Sequence, residues 1–302
     1  MTIAITGATG LVGSRLTAKL VAAGHKVRVL TRSISSARSK LSYPGLEFFG
    51  PADWAKAVEG ATGVVNLAGE PIATRWTDEL KRSIKSSRVG ATTAVVDAIK
   101  AAPEGKRPKV LVSASAVGYY GISQTATYSE DSPSGNDYLA EICRAWEAAA
   151  NAATSAGVRV AVLRFGIVLA PEGGALGKML PVFQVFAGGP LGSGKQWMSW
   201  IHRDDLVDLI MQSGARFPSG APALRGPPVL NPCPPLPPSP LGNIMGRPSW
   251  LPVPDFALMT LLGEGATVVL EGQRVMPTRT QAAGYRFKYS DIGDALRNLV
   301  RG

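Results

Sequence analysis

The chain has 302 residues, 45% of them hydrophobic, which allows one large core or a nucleotide domain with a smaller partner, and none of its apolar runs approaches the roughly 20 residues of a membrane span. Its two cysteines and two histidines give no disulfide framework and no metal-ligand spacing, so we expect no metal. The net charge of +10 is spread over several predicted helices without a nucleic-acid motif, which favours solvated faces and an anionic cofactor over nucleic acid.

The first predicted elements are an apolar strand, a glycine loop and a helix. The glycines follow the pattern G-x-x-G-x-x-G, directly after strand residues 3–5. A glycine turn lets the backbone approach a pyrophosphate, and the helix behind it offers free N–H groups and its positive dipole end. The pattern therefore predicts a dinucleotide site. Its residues are Gly7, Ala8, Thr9, Gly10, Leu11, Val12 and Gly13.

The second predicted strand, residues 26–30, closes a βαβ unit and is followed by Thr31, Arg32 and Ser33. A site for NAD(H) usually carries an acidic residue here, which bonds the ribose and repels a 2′-phosphate. This strand end has no carboxylate, and its arginine can form a charge-assisted bond to phosphate. We therefore expect NADP(H), with these three residues beside the adenosine ribose.

Strands and helices alternate as far as residue 163. The predicted elements are a strand at 46–49, a helix at 54–58, a strand at 63–67, a basic helix at 78–100, a strand at 109–113, a helix at 138–154 and a strand at 158–163. This alternation predicts an α/β fold with a doubly wound parallel sheet of the Rossmann type. We expect a Rossmann domain over residues 1–165 and a smaller, substrate-side domain over residues 166–302.

The carboxyl ends of the strands are where such a sheet holds its ligand. Leu67, Ala68 and Gly69 follow the strand at 63–67, so we expect them near the adenosine. Arg88, on the basic helix, either reaches back to the cofactor or lies on a solvated helix surface.

The alternation ends after residue 164. Glycines from residue 173 to 194 predict a loop-rich region, and residues 201–214 are expected to return to the sheet, with a helix at 204–213. Residues 218–240 contain ten prolines among 23 residues, which predicts a polyproline linker or disorder. Order is expected to resume at Trp250, and a final helix is predicted at 291–300.

Several motifs together resemble a known superfamily. They are the glycine loop, Asn66-Leu67-Ala68-Gly69, residues 113–121, residues 130–133 and residues 200–206. The chain resembles the short-chain dehydrogenase/reductase superfamily in its extended, epimerase-like form. Residues 188–194 and 247–254 resemble its atypical epimerase family branch, most closely the plastid Giant Chloroplast group. The resemblance fails across residues 218–240. It implies a chloroplast location, although we recognise no transit segment ahead of the first strand.

The resemblance also implies a test for catalysis. Active members use a serine or threonine, a tyrosine, and a lysine four residues after the tyrosine, so that the ammonium lowers the pKa of the phenol. Ser115 matches the serine and Tyr138 the tyrosine, but Ile142 stands where the lysine is expected. Isoleucine cannot lower the pKa of a phenol or bind a ribose hydroxyl.

Three alternatives follow from the missing lysine. Tyr119 or Tyr120 donates the proton with help from another cation, such as Lys178 or Lys195. Glu141 performs the acid/base step instead. The third alternative is a site that binds the cofactor without turnover, with aromatic residues that only pack.

Two further residues have alternative roles. Val168 lies where superfamily members place backbone against the nicotinamide, or it packs in the core. His202 is a catalytic candidate, but we favour a structural role for its segment, with Asp204 or Asp205 capping a helix.

The predicted function is an epimerase-like oxidoreductase for an unknown carbonyl or hydroxyl substrate. The alternative is an NADP(H)-binding regulatory protein of plastids, acting on a protein partner in organelle division. The oligomeric state is left open.

Overall fold

A computed structural model describes residues 1–215, 240–249 and 252–301. Its core is a six-stranded parallel sheet in the order β3-β2-β1-β4-β5-β7. The first seven strands of the chain are β1 (Thr2–Thr6), β2 (Lys26–Leu30), β3 (Glu47–Phe49), β4 (Gly63–Asn66), β5 (Val110–Ala116), β6 (Thr127–Tyr128) and β7 (Arg159–Phe165). The winding reverses between β1 and β4, which confirms the predicted doubly wound sheet.

Helices cover both faces of this sheet. Those before β7 are α1 (Leu11–Ala22), α2 (Ile34–Lys40), α3 (Trp54–Val58), α4 (Asp78–Lys85), α5 (Ala91–Ala101) and α6 (Tyr138–Asn151). The basic helix predicted at 78–100 is not one regular helix. Ser86–Gly90 forms a π-helical segment between α4 and α5, a feature that is frequent at functional sites.

The two faces of the sheet bury two separate cores, because successive side chains of a strand point to opposite sides. On β1, Ile5 packs with α1 in one core, and Ala4 packs with α3 and α5 in the other. Strands buried on both faces need apolar residues at nearly every position, as in the Val64–Val65 pair of β4.

The segment after β7 contains more regular structure than predicted. Strand β8 (Ile167–Ala170) pairs in parallel with β9 (Trp200–His202), outside the main sheet. Helix α7 (Gly174–Gln184) lies between them, so the prediction of a loop-rich region beginning at residue 173 is wrong there. Its glycines suggested loops, but Leu176 and Phe183, seven residues apart, are buried on one helix face.

Helix α8 (Arg203–Ala215) returns to the sheet. Its apolar residues, Leu206 and Ile210 among them, join the core that contains Leu16 and Leu20 of α1. Residues of α8 thus share a core with α1. The division into two domains at residue 165 stays a prediction.

The remaining elements form the C-terminal part of the molecule. They are α9 (Pro240–Met245), α10 (Asp255–Leu262), α11 (Thr267–Leu270), β10 (Arg274–Val275), α12 (Thr278–Ala282) and α13 (Ile292–Arg301). The predicted final helix is confirmed in α13. Of the proline-rich segment 218–240, only Pro240 lies within the described residues, where it begins α9, and the expected resumption of order at Trp250 falls on a residue outside them. No helix in the described ranges is long and apolar enough to cross a bilayer.

Candidate functional site

The glycine loop closes tightly on its own backbone and on the loop after β4. Gly7 has a φ of +67°, and a Cβ there would lie 2.5 Å from the carbonyl oxygen of Leu67. A Cβ on Gly13 would overlap the carbonyl oxygen of Gly7. At Gly10 the nearest atom to a Cβ would be 3.3 Å away. The first and third glycines are thus required by the fold of the loop, and the second lies on its open side.

The N-terminus of α1 is prepared for an anion. Gly10 is its N-cap, no side chain caps the first turn, and that turn contains no acidic residue. The first N–H groups of a helix have no acceptor within the helix, and they carry its positive dipole end. A diphosphate satisfies both, so the residues present fit the expected dinucleotide.

Arg32 extends into solvent from the end of β2. Its side chain is 83% exposed, and its Nη2 donates to Oε1 of Glu70 at 3.1 Å. Its neighbours form local turns: the Thr31 hydroxyl donates to the carbonyl of Ser33, and the Ser33 hydroxyl caps α2. Arg32 is therefore the cation that the structure places at this strand end.

Arg88 contacts the loop after β4, and its contact with the cofactor stays a prediction. Its guanidinium lies against Gly69, where a Cβ would be 3.2 Å from Cζ, and its Nη2 donates to the carbonyl of Glu70 at 2.9 Å. Burial lowers the pKa of Arg88. The hydroxyl of Ser87 accepts the N–H of Glu70 at 3.2 Å. The π-helical segment thus fixes the loop that brings Leu67 and Ala68 to the glycine loop.

A buried polar network lies under this loop. Oδ1 of Asn66 accepts the Thr6 hydroxyl at 2.7 Å, and Nδ2 donates to Thr92 at 2.7 Å and to Ser113 at 3.1 Å. Thr92 also accepts the indole N–H of Trp146. The network joins β1, β4, β5, α5 and α6 where the winding of the sheet reverses, the position at which such sheets bind ligands.

The hydroxyl groups of Ser115 and Tyr138 have separate partners. Ser115 is 2% exposed, and its Oγ donates to Oε1 of Glu147 at 2.7 Å. The Tyr138 hydroxyl donates to the carbonyl of Lys81 at 2.7 Å, and burial raises the pKa of its phenol. Ile142 is buried in the core side of α6. The catalytic role of Tyr138 stays a prediction, and in this structure its hydroxyl is hydrogen-bonded to the backbone of α4.

A buried ion pair lies beside Ser115. Arg164 of β7 donates from Nε and Nη2 to the two carboxylate oxygens of Glu147, at 2.8 and 3.0 Å. Its Nη1 donates to the Tyr120 hydroxyl at 2.9 Å, and its Cζ lies 3.4 Å from the centre of the Tyr119 ring. Burial opposes the charge of Arg164, but the hydrogen bonds and charge of Glu147 outweigh burial and raise its pKa. One cation thus holds the surroundings of Ser115 in place.

The two tyrosines differ in what their hydroxyls can do. Burial raises the pKa of Tyr120 to about 12, and its oxygen accepts from Arg164. Tyr119 is half-buried, and within the described ranges its hydroxyl has no hydrogen-bond partner. Tyr119 therefore keeps a hydroxyl available to a ligand.

Glu130 connects the C-terminal segment to this ion pair. Its buried carboxylate accepts the N–H groups of Arg279 and Thr280 and the hydroxyl of Thr278, at 3.0, 3.2 and 2.7 Å. Its carbonyl accepts from Arg164 at 3.4 Å. A residue before α6 thus caps α12, and the parallel pairing of β6 with β10 lies beside it.

The other predicted residues have the following partners and exposure. Lys178 donates to the carbonyl of Ala73 at 2.8 Å, and Glu141 forms an exposed ion pair with Lys85. Lys195 is exposed. Arg164 lies over the ring of Tyr119, and a role for Lys178 or Lys195 stays a prediction.

His202 is a structural residue. Its Nδ1 accepts the N–H of Asp204 at 3.1 Å, and its ring stacks on Tyr289. The prediction that Asp204 or Asp205 caps α8 is therefore wrong, because the histidine does so, while Asp204 pairs with Arg15. Asp205 accepts the N–H groups at 288 and 289. Val168 pairs with Ile201 in the β8–β9 ladder and packs against the core, and its nicotinamide contact stays a prediction.

The sequence interpretation missed Arg164, Glu147 and Glu70. A signal for the first two was present, because Arg164 interrupts an apolar strand and Glu147 lies beside Trp146 on the buried face of α6. A charged residue in a strand buried on both faces needs a partner of opposite charge. No comparable pattern marks Glu70.

Known proteins resemble this chain along its length. The model of the NAD dependent epimerase/dehydratase family matches residues 3–221, and that of a domain of unknown function (DUF1731) matches residues 253–299. The chain is 52% identical to the epimerase family protein SDR39U1 homolog, chloroplastic, of Arabidopsis thaliana, over all of this chain and 87% of the relative. It is 37% identical to epimerase family protein YfhF of Bacillus subtilis, over 99% and 98% of the two chains.

Solved structures show the same fold. The human epimerase family protein SDR39U1 (isoform 2) with NADPH matches over 100% of both chains, with a TM-score of 0.82 and 32% identity. The UDP-glucose 4-epimerase of Thermotoga maritima with UDP-glucose has a TM-score of 0.79 over 100% and 98% of the chains. At 15% identity, the second match shows the fold alone.

Proposed function

Since the chain belongs to the NAD dependent epimerase/dehydratase family, we propose that it binds NADP(H) and acts as an epimerase-like oxidoreductase on a carbonyl or hydroxyl substrate. Residues Gly7 to Gly13 and the N-terminus of α1 hold the pyrophosphate. Arg32, between Thr31 and Ser33, meets the 2′-phosphate. The human relative with NADPH, at 32% identity, supports this choice of cofactor.

The remaining cofactor contacts come from the loop after β4 and from β8. Leu67, Ala68 and Gly69 line the adenosine, and Arg88 holds that loop from behind. Val168 contributes backbone near the nicotinamide. When bound, the nicotinamide supplies or accepts a hydride.

Tyr119 is the group that we assign to proton exchange with the substrate oxygen. The observation that carries this assignment is its hydroxyl, which has no hydrogen-bond partner in the part of the chain that the structure describes, beside the buried Arg164. Arg164 packs against the face of the Tyr119 ring and fixes its position. The Ser115 hydroxyl donates its hydrogen bond to Glu147, so the Ser115 oxygen accepts one from a substrate hydroxyl.

The test is NADPH oxidation at 340 nm with a panel of aldehydes, ketones and 1,2-diketones. We expect Tyr119→Phe to lower turnover about 100-fold or more, the range for loss of a general acid, with an unchanged Kd for NADPH. Tyr138→Phe is the matched control, and it should retain turnover because the Tyr138 hydroxyl is bound to the backbone of α4. Full activity of Tyr119→Phe would remove Tyr119 from the proposal.

A second candidate function is an NADP(H)-binding regulatory protein of plastids, acting on a protein partner in organelle division. The observation that favours it is the buried Ile142, together with the engaged hydroxyls of Ser115 and Tyr138. The name of the Arabidopsis relative supports a chloroplast location. This function predicts that NADPH raises Tm while no compound of the panel is reduced, and turnover that depends on Tyr119 would exclude it.

A further inference from the structure

Glu70 is held more firmly than its position on a loop suggests. Its N–H donates to the hydroxyl of Ser87 at 3.2 Å, and its carbonyl accepts from Arg88 at 2.9 Å. The preceding Gly69 lies against the side chain of Arg88. The backbone N–H and carbonyl of Glu70 are thus both hydrogen-bonded to the π-helical segment, which fixes the backbone from which its carboxylate extends.

The carboxylate of Glu70 reaches from the end of β4 to the end of β2. It accepts from Arg32 at 3.1 Å, and the side chains of Glu70 and Arg32 are 36% and 83% exposed. The carboxylate is therefore the anchored member of the ion pair, and the guanidinium is the member with freedom to move.

This arrangement has a consequence for any anion that approaches Arg32. One N–H of the guanidinium already donates to Glu70. A second anion must share or displace that bond, and it meets the repulsion of a carboxylate fixed within a few ångströms. The 2′-hydroxyl of a cofactor without the phosphate carries no charge and avoids both costs.

We propose that Glu70 sets the preference between NADP(H) and NAD(H), because its carboxylate competes with the 2′-phosphate for Arg32. The proposal rests on the proposed NADP(H) binding and on the place of Arg32 beside the 2′-phosphate. Glu70 acts here through Arg32 and limits how strongly the protein discriminates between the two cofactors.

The experiment measures Kd by isothermal titration calorimetry with NADPH, NADH, 2′,5′-ADP and 5′-ADP. Glu70→Gln keeps the length of the side chain and removes its charge. We expect this variant to bind NADPH and 2′,5′-ADP about fivefold more tightly, the order of an exposed ion pair, with NADH and 5′-ADP changed less than about twofold. In an Arg32→Ala background the gain from Glu70→Gln should shrink, because the ion pair is already gone.

Glu47→Gln is the matched control. Like Glu70, Glu47 pairs with an arginine: it lies 3.1 Å from Arg28 of β2. Glu47 itself belongs to β3, away from the glycine loop. It should leave all four Kd values unchanged, with Tm measured for every variant.

The outcomes separate the inference from the function on which it rests. Weaker NADPH binding by Glu70→Gln would overturn the proposal, because Glu70 would then present Arg32 to the phosphate. An unchanged ratio of the Kd values for NADPH and NADH would also overturn it. An equal gain for NADPH and NADH would likewise overturn it. A wild-type protein that binds no NADPH defeats the proposed function itself.

Discussion

Replacing Glu147 by glutamine tests whether the ion pair with Arg164 holds the site together. The Glu147 carboxylate accepts Nε and Nη2 of Arg164 and the hydroxyl of Ser115, at 2.8, 3.0 and 2.7 Å. The two charged side chains are only 10% and 3% exposed. Glutamine has the same shape, but one acceptor oxygen becomes a donor and the negative charge is lost.

The expected cost follows from the burial of the remaining charge. Water cannot reach Arg164 to replace the lost carboxylate, and breaking one side of a buried ion pair costs about 3–5 kcal/mol. A domain is typically stable by about 5–15 kcal/mol, so Glu147→Gln removes a large share of the free energy of unfolding.

The assay is equilibrium unfolding in urea, followed by far-UV circular dichroism without cofactor. Glu47→Gln is a control in the same protein, because the side chain of Glu47 is 53% exposed and its pair with Arg28 should contribute at most about 1 kcal/mol. The double variant Glu147→Gln/Arg164→Met removes the stranded charge as well. It should be more stable than Glu147→Gln alone.

Two results would refute this reasoning. One is a loss below about 1 kcal/mol for Glu147→Gln, which would place the pair in the range of surface ion pairs. The other is a double variant that is no more stable than the single one, since the cost would then not come from an unpaired Arg164.

Three further predictions follow from the structure. Gly13→Ala should abolish NADPH binding in calorimetry and lower Tm, because its Cβ overlaps the carbonyl of Gly7, whereas Gly90→Ala, with open space around the new methyl group, should change neither. Burial lowers the pKa of His202 below 6.5 in the folded protein, so the unfolded chain binds the proton at a higher pH than the folded protein does. The contribution of His202 to the free energy of unfolding is therefore complete above pH 6.5 and is lost as the pH falls towards the pKa in the folded protein. Urea unfolding at pH 7.5 and 5 should show a smaller pH dependence for His202→Asn than for the wild type. Burial raises the pKa of Cys143 to about 12, so peptide mapping after iodoacetamide treatment at pH 8 should find this thiol unmodified in the native protein and modified in urea.

The dinucleotide end of the site could be predicted because its signals are local. Gly7, Gly10 and Gly13 follow a strand and begin a helix, and the close contact that requires Gly13 is with Gly7, six residues earlier. The same holds for the order of strands and helices, since apolar periodicity is a local pattern. The proposal for Arg32 rests on a local signal too, its position two residues after the second strand.

The other end of the site depends on contacts between distant segments. Arg164 meets Glu147 only because β7 and α6 pack together, and Ile142 gave no indication that the cation would come from a strand. Arg88 was ambiguous for a related reason. Its contact with Glu70 depends on the π-helical segment, which the helical pattern of residues 78–100 does not reveal.

The link through Glu130 affects the order in which the molecule is assembled during synthesis. The carboxylate of Glu130 is made early, but the N–H of Arg279 that it accepts follows 149 residues later. A ribosome therefore produces the glycine loop, β1 and α1 well before it produces the segment that caps and covers the surroundings of Arg164. Contacts between such distant parts of a chain form late, since closing the intervening loop costs entropy. The surroundings of the glycine loop and the surroundings of Arg164 are thus completed at different stages of synthesis.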